Sequence, residues 1–485
     1  MIFSLEKKRE DAPAILTADG TIVTYGELRN QAEQFGTRIR LCGTQQSMEM
    51  RCLIFCICRN EPGAVMGYLG GLENNAVPML LGSDIGQRQF EKFFETYEPE
   101  FLWAPNGWVE ENCHRKFQKI YETYGYVLWK TVFPSVPMNG KLALLLATSG
   151  STGDSKLVRL SRENLVANAE SILTYLKLQE RERPITTLPM QYTYGLSVIN
   201  SHFLAGACIL MTTASMVQRE FWDFFEKEKA TSFAGVPYTY EILKRMGIFE
   251  RKFPSLNSIT QAGGKLSPVL QKKVGTWAKE QGIDFFVMYG QTEATARMSY
   301  LPPERCLDKI GSIGIQIPGG RFALEDGQGR EIDSSHTVGE LVYYGANVSL
   351  GYAQSKLDLQ CADERKGRLL TGDMAMRDSE GYYYIIGRKK RFIKIFGVRV
   401  ALDECEQVLT ARFPEAEFAC TGTDDRMEIY TTDREIAEYI SEFLSGYLQL
   451  NQKAFTGYYI SDIPKNASGK ILYMELKHEK KSTSL

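Results

Sequence analysis

The feature that most restricts the fold is a repeated alternation of short apolar runs, rich in branched residues, with segments of helical period. Tyr25 to Leu41 reads as a helix, Met50 to Cys58 as a strand, Pro62 to Glu73 as a helix and Ala76 to Leu81 as a strand. Strands that alternate with helices of this length pair in parallel, because each helix carries the chain back across a sheet face, so layered α/β sheets are expected. Farther on, Arg321 to Glu325, Gly339 to Tyr344 and Gly381 to Ile386 read as strands set off by Asp-Gly and Glu-Gly turns, which suits an attached β-rich subdomain of hairpins. At roughly 150 residues per domain the chain holds about three compact units. The basic run Arg388-Lys389-Lys390-Arg391 is the best boundary, and the chain beyond it is long enough for a small domain of its own.

Charge removes whole classes of partner. With 57 Lys and Arg against 59 Asp and Glu, a net charge of −2, nothing drives the chain toward nucleic acid or an anionic membrane, and neither is expected as a partner. The ten cysteines are scattered; Cys52, Cys56 and Cys58 share one apolar run and read as core thiols, no zinc-like spacing occurs, and the chain has four histidines. A reducing, cytoplasmic compartment is expected. Charges from Glu6 to Glu10 argue against a signal peptide. Gly195 to Gln218 carries no Asp, Glu, Lys or Arg, but Asn200, Ser201 and His202 interrupt it, so it reads as a buried helix followed by a strand and not as a membrane span.

Between the strand-like Lys141 to Ala147 and Leu157 to Leu160 lies Thr148-Ser149-Gly150-Ser151-Thr152-Gly153-Asp154-Ser155-Lys156, and Ser161 could then cap a helix. The glycines let backbone N–H groups turn inward around an anion, the hydroxyls add donors, and Lys156 adds positive charge: a cradle for nucleotide phosphates. Composition alone leaves a plain polar surface loop equally open. The Gly-x-x-x-x-Gly-Lys spacing of a Walker loop is absent, as is the Gly-x-Ser-x-Gly of an esterase elbow.

The wording of this loop closely resembles the Thr-Ser-Gly-Ser-Thr-Gly-x-Pro-Lys signature of the AMP-forming adenylating enzymes, the superfamily of acyl-CoA and aryl-CoA synthetases, luciferases and peptide-synthetase adenylation domains. Further motifs stand in that family's order: Tyr289-Gly290-Gln291-Thr292-Glu293; Gly339-Glu340-Leu341 through Gly345, Val348 and Gly351-Tyr352; Thr371-Gly372-Asp373 with Asp378, Gly381 and Gly387-Arg388; Lys394, Gly397, Arg399-Val400 and Glu404 to Glu406; and Pro464-Lys465-Asn466-Ala467-Ser468-Gly469-Lys470. Thr24-Tyr25-Gly26-Glu27-Leu28 extends the likeness toward the N-terminus.

The resemblance implies a large N-terminal domain, residues 1–389, binding ATP and an acid, and a small mobile α+β domain, residues 390–485, turning about a hinge at Lys390. It implies ATP-dependent activation of a small carboxylic acid as an acyl-adenylate, with pyrophosphate leaving and the acyl group passing to a phosphopantetheine thiol, on CoA or on a carrier protein. Thr148 to Gly153 and Lys156 would hold the β- and γ-phosphates, Thr292 would touch the α-phosphate, and Glu293 would bind Mg²⁺. Tyr289 would stack on adenine beside Gly290, Asp373 would accept both ribose hydroxyls, and Arg388 would donate to the same sugar; Gly263 and Lys394 join these nucleotide-binding positions. Lys470 would bridge the carboxylate and α-phosphate oxygens in the transition state.

For the acid pocket the family order points to Gln191 through Ser197, with Tyr192, Tyr194 and Gly195, and to Val236, Gly263 and Gly264. Amino-acid-activating relatives usually carry Asp where Gly195 stands, so the resemblance favours a neutral-tailed acid over an α-amino acid, whose buried ammonium would lack a counter-charge. Two readings stay open beside the leading one: an amino-acid to carrier-protein ligase of the D-alanine type, and a non-catalytic nucleotide-binding relative. Ser155 replaces the family's Pro, and Thr421 to Glu435 is short and acidic, so a reduced small domain is expected.

Overall fold

The computed structural model describes residues 1–44, 50–113, 115–147, 156–465, 471–473 and 475–476. Its centre is a nine-stranded sheet built on Met50–Cys58, which is buried along nearly its whole length and pairs in parallel with both Ala76–Gly82 and Phe101–Pro105. A strand without a polar face must have neighbours and helices on every side, which explains the parallel core. Leu142–Ala147 extends it in parallel, and Leu157–Ser161 then pairs antiparallel with Leu142–Ala147 so that Ala147 faces Leu157. The helix Pro62–Glu73, buried over most of its surface, makes the crossover between the first two strands. Ser161 caps the helix Arg162–Tyr175 in a reciprocal box with Asn164.

A second sheet places Ser232–Gly235, Ser258–Gln261 and Asp284–Tyr289 in parallel, followed by two short antiparallel strands. The β-rich part is a four-stranded antiparallel sheet of Gly320–Glu325, Gly339–Gly345, Arg368–Arg377 and Tyr383–Arg388. Its last strand starts two residues later than the sequence suggests. Asp378 Oδ1 accepts from the amides of Glu380 and Tyr382, and Gly381 takes a φ of +89°, so the turn claims that residue. Between these strands, Gly351–Ala353 departs to pair with Leu157–Ser161, and the fully buried Arg159 fastens the junction through the carbonyl of Tyr352 at 2.9 Å and the carboxylate of Glu364 at 3.0 Å.

The C-terminal part has its own apolar core, which includes Ile395, Leu409, Phe418, Ile429, Ile440 and Leu444. It comprises the hairpin Phe392–Ile395 with Val398–Ala401, the helices Leu402–Arg412 and Arg434–Leu448, and the strands Phe418–Thr423, Arg426–Thr431 and Phe455–Tyr459. The acidic stretch after Thr421 forms the tight turn and second strand of a hairpin. Asp403 Oδ2 accepts from the Arg388 amide at 2.9 Å, and Lys265 donates to Gln407 at 2.8 Å, so two polar contacts tie this part to the larger one. Gly195 to Gln218 forms the helix Thr193–Ala205 and the strand Ile209–Met211, and among the described residues no helix is long and apolar enough to cross a membrane. Cys52, Cys56 and Cys58 lie in the central strand, where burial pushes their thiols up.

Candidate active site

Three parallel strands of the second sheet end side by side, and each delivers part of one site from its C-terminal end, where ligands of parallel sheets bind. Ser232–Gly235 leads into Val236, Ser258–Gln261 into Gly263 and Gly264, and Asp284–Tyr289 into Tyr289 through Glu293. A Cβ on Gly263, whose φ is +85°, would stand 2.6 Å from the Tyr192 hydroxyl and 3.1 Å from Val236. These three residues therefore form one wall. Tyr192 meets Tyr194 edge to face at 6.4 Å, and the Tyr194 hydroxyl lies 2.7 Å from Thr260 Oγ1. Burial keeps both phenols neutral by raising their pKa values.

Gly195 is placed differently from the expectation. A Cβ there would meet the Pro189 carbonyl oxygen at 2.3 Å and that of Leu188 at 3.0 Å, so this position packs against backbone and has no room for a side chain. Gly264 likewise packs on Pro237, 3.1 Å from where its Cβ would be.

Between Arg368–Arg377 and Tyr383–Arg388, register decides the pairing. Asp373 and Arg388 are direct cross-strand partners, and Arg388 Nε lies 2.9 Å from Asp373 Oδ1. Asp373 Oδ2 accepts from the Tyr289 hydroxyl at 2.5 Å and from Gln291 Nε2 at 2.9 Å. Burial raises the Asp373 pKa, and Arg388, Tyr289 and Gln291 work against it. Three of about four acceptor sites on this carboxylate are thus used within the protein. A ligand with two donors can be accepted in full only if one internal donor yields, and Tyr289 holds Asp373 in place.

At the phosphate end, Glu293 Oε1 accepts from the Tyr352 hydroxyl at 2.6 Å, and burial lifts that phenol to about 12, keeping it a donor. Lys156 Nζ lies 5.5 Å over the Tyr352 ring and the Arg365 guanidinium 4.5 Å from it. Glu293 Oε2 takes no hydrogen bond from a described residue. That suits Mg²⁺, which keeps several waters and needs one or two carboxylates beside phosphate oxygens. Thr292 joins the two ends: its hydroxyl accepts from Thr193 Oγ1, at the first turn of the helix Thr193–Ala205, at 2.9 Å. Gly290 must be glycine, since a Cβ would fall 1.5 Å from the Ala296 carbonyl oxygen.

Thr148 through Gly153 and Lys470 lie outside the described residues, although Ala147 and Leu157 hold the flanks of the first stretch opposite each other. Lys394 sits on the small hairpin with its amide on Asp424 at 2.9 Å and its carbonyl on Asp425, and makes no contact with the Asp373 cluster. Lys390 falls within the single turn Lys389–Arg391. Sequence reasoning passed over Gln291, Tyr352 and Arg365 as site residues. The first two stood inside quoted motifs, whereas no local signal marks Arg365.

The sequence model of the family described as AMP-binding enzyme matches residues 4–353. An oxalate–CoA ligase of Arabidopsis thaliana is 29% identical over 343 residues, which cover 68% of this chain and 66% of that one. A long-chain-fatty-acid–CoA ligase of Escherichia coli O157:H7 is 30% identical over 359 residues, covering 70% and 62%. The matches thus span just under two thirds of these relatives' lengths. Among solved structures, o-succinylbenzoate CoA synthetase of Bacillus subtilis in complex with its acyl-adenylate intermediate superposes with a TM-score of 0.76 at 20% identity, over 98% of this chain and 97% of that one. ATP-bound MatB from Rhodopseudomonas palustris gives 0.75 at 21%, over 99% and 98%. Both show a shared fold.

Proposed function

The chain belongs to the AMP-binding enzyme family, and from that premise we propose that it is an AMP-forming acid-thiol ligase. It activates a small carboxylic acid with ATP and passes the acyl group to the thiol of CoA or of a carrier protein's phosphopantetheine. The observation that carries the reading is the single line of contacts from Asp373 through Gln291, Thr292 and Thr193 to the Tyr192 pocket, which sets a nucleotide end against an acid end.

Asp373 and Arg388 orient the ribose, and Tyr289 keeps the carboxylate in place while offering its ring to adenine. Lys156, with the Thr148 to Gly153 loop, takes the outer phosphates. Glu293 would hold Mg²⁺ through its open oxygen, with Tyr352 fixing the other; when bound, the ion neutralises charge on the phosphates and the departing pyrophosphate. Thr292 positions the α-phosphate in line with the carboxylate, and Lys470, from the small domain, spreads the negative charge that builds between them. Residues 1–389 and 390–485 act as two bodies that turn about Lys390 between adenylation and thioester formation. The setting is cytoplasmic.

Acid-dependent ATP-pyrophosphate exchange tests the reading. Exchange with at least one acid is expected, and Lys470→Ala should lower it by about 10²–10³-fold while ATP still binds. Normal turnover in that variant would remove Lys470 from the mechanism, and an absence of exchange with every fatty, aryl, hydroxy, dicarboxylic and amino acid would remove adenylation. Lys390→Pro should slow thioester formation more than exchange; equal loss in both half-reactions would refute the hinge.

A further inference from the structure

Among the described residues, Arg297 is a buried cation that the fold leaves without an anionic or carbonyl partner. It is 2% exposed, and its Nε donates to Ser197 Oγ and its Nη1 to the Tyr175 hydroxyl, both at 3.1 Å. Its remaining neighbours are the Met288 sulfur at 3.6 Å from Nη1 and the Tyr194 ring, 5.2 Å away. All of these are neutral. His202, a further titratable group within electrostatic reach of Arg297, is also neutral, because burial lowers its pKa to about 4. Other buried arginines are treated differently: Arg159 meets Glu364 and four carbonyls, and Arg51 meets three carbonyls. No carboxylate of a described residue pairs with Arg297. A guanidinium does not escape by losing its proton, so its desolvation is left uncompensated in the ligand-free chain.

The backbone is bent to bring it there. Thr295 and Ala296, the two residues before it, both take positive φ, +56° and +98°, a conformation costly for any residue with a Cβ. Asn168 and Asn347 hold the result by donating to the Arg297 carbonyl at 2.9 and 3.2 Å. Strain and an uncompensated charge thus converge on one side chain, and that side chain touches Ser197 and Tyr194, both within the stretch 191–197 assigned to the acid. Ser197 lies one helical turn beyond Thr193, which touches Thr292, and the Tyr194 ring contacts both Arg297 and Tyr192.

We infer that Arg297 is the specificity residue for a second carboxylate on the substrate, so that the acid activated here is a short dicarboxylic acid and not a neutral-tailed one. The inference rests on the proposed adenylation of a carboxylic acid and adds the class of acid. One carboxylate reacts beside Thr292, and the other meets the guanidinium fork roughly one helical turn, about 5 Å, deeper. An α-amino acid would bring its ammonium toward a cation already lacking a counter-charge.

The test compares glutarate and adipate with their monomethyl esters, with hexanoate and with glutamate in pyrophosphate exchange by the full-length protein. A diacid KM lower than that of its monoester by about tenfold or more is expected, erased in Arg297→Gln and partly kept in Arg297→Lys, while exchange with hexanoate shifts by less than about threefold. Equal or better use of the monoesters, or equal loss with diacid and hexanoate in Arg297→Gln, would overturn the inference and leave adenylation standing. Thermal stabilisation by adipate alone reads capture without the reaction: a shift in the wild type that disappears in Arg297→Gln sustains the inference even if no acid supports exchange, and no shift in the wild type together with no diacid preference overturns it.

Discussion

At the nucleotide end, Asp373 is met by Arg388, Tyr289 and Gln291, and Glu293 by Tyr352; at the acid end, Arg297 is met by hydroxyls, a thioether and a ring. In the first region Asp373 meets a cation before any ligand arrives, which suits the nucleotide proposed for it. The second leaves a charge open, which suits a ligand that must be chosen. One segment, Gly290 to Arg297, joins the two regions: Gln291 braces Asp373, Thr292 meets Thr193, and Arg297 meets Ser197.

The largest effect should come from that shared segment. Gly290→Ala forces the Ala296 carbonyl away and should lower unfolding free energy by about 3 kcal/mol, measured by urea denaturation, with damage to both ends. Unchanged stability would mean that the two ends are mechanically independent. Asp373→Asn leaves Arg388 without its anion, and ATP affinity measured calorimetrically should fall about 30-fold. An unchanged affinity would show that the paired carboxylate does not serve the nucleotide.

The acid end should also respond to pH. The unfolded chain protonates His202 near 6.5 and the folded chain only near 4, so stability is complete above the upper value and falls as pH drops through that window. Between pH 7 and pH 5 the loss should be about 2 kcal/mol, and His202→Gln should flatten that slope in denaturant titrations at the two pH values. An unaltered slope would place the titration elsewhere. The smallest effect belongs to Tyr352→Phe, which removes one hydrogen bond to Glu293 and should weaken Mg-ATP binding by about 1 kcal/mol, roughly fivefold, with little change for ATP alone. Equal loss with and without magnesium would make Tyr352 a structural brace.

Much of the molecule was legible because its signals are local. The largely apolar Met50–Cys58 reads as a buried strand, Ser161 as a helix cap, and the motifs around Thr292 and Asp373 indicated which residues to expect together. Gly195 was read as the place of a missing counter-charge, and what sequence could not show is that a side chain there would have struck the Pro189 carbonyl.

By itself, then, the chain's sequence determined the α/β class, several of its strands and helices and the family, and it supplied the nucleotide-binding residues that are proposed, because periodicity, capping and short motifs act over a few neighbouring positions. Tertiary structure alone decided that Tyr289 braces Asp373, that Tyr352 holds Glu293, and that Arg297 lies buried without a counter-charge. Each of those depends on residues brought together from distant strands, and whether a charge is solvated or stranded is a property of its surroundings.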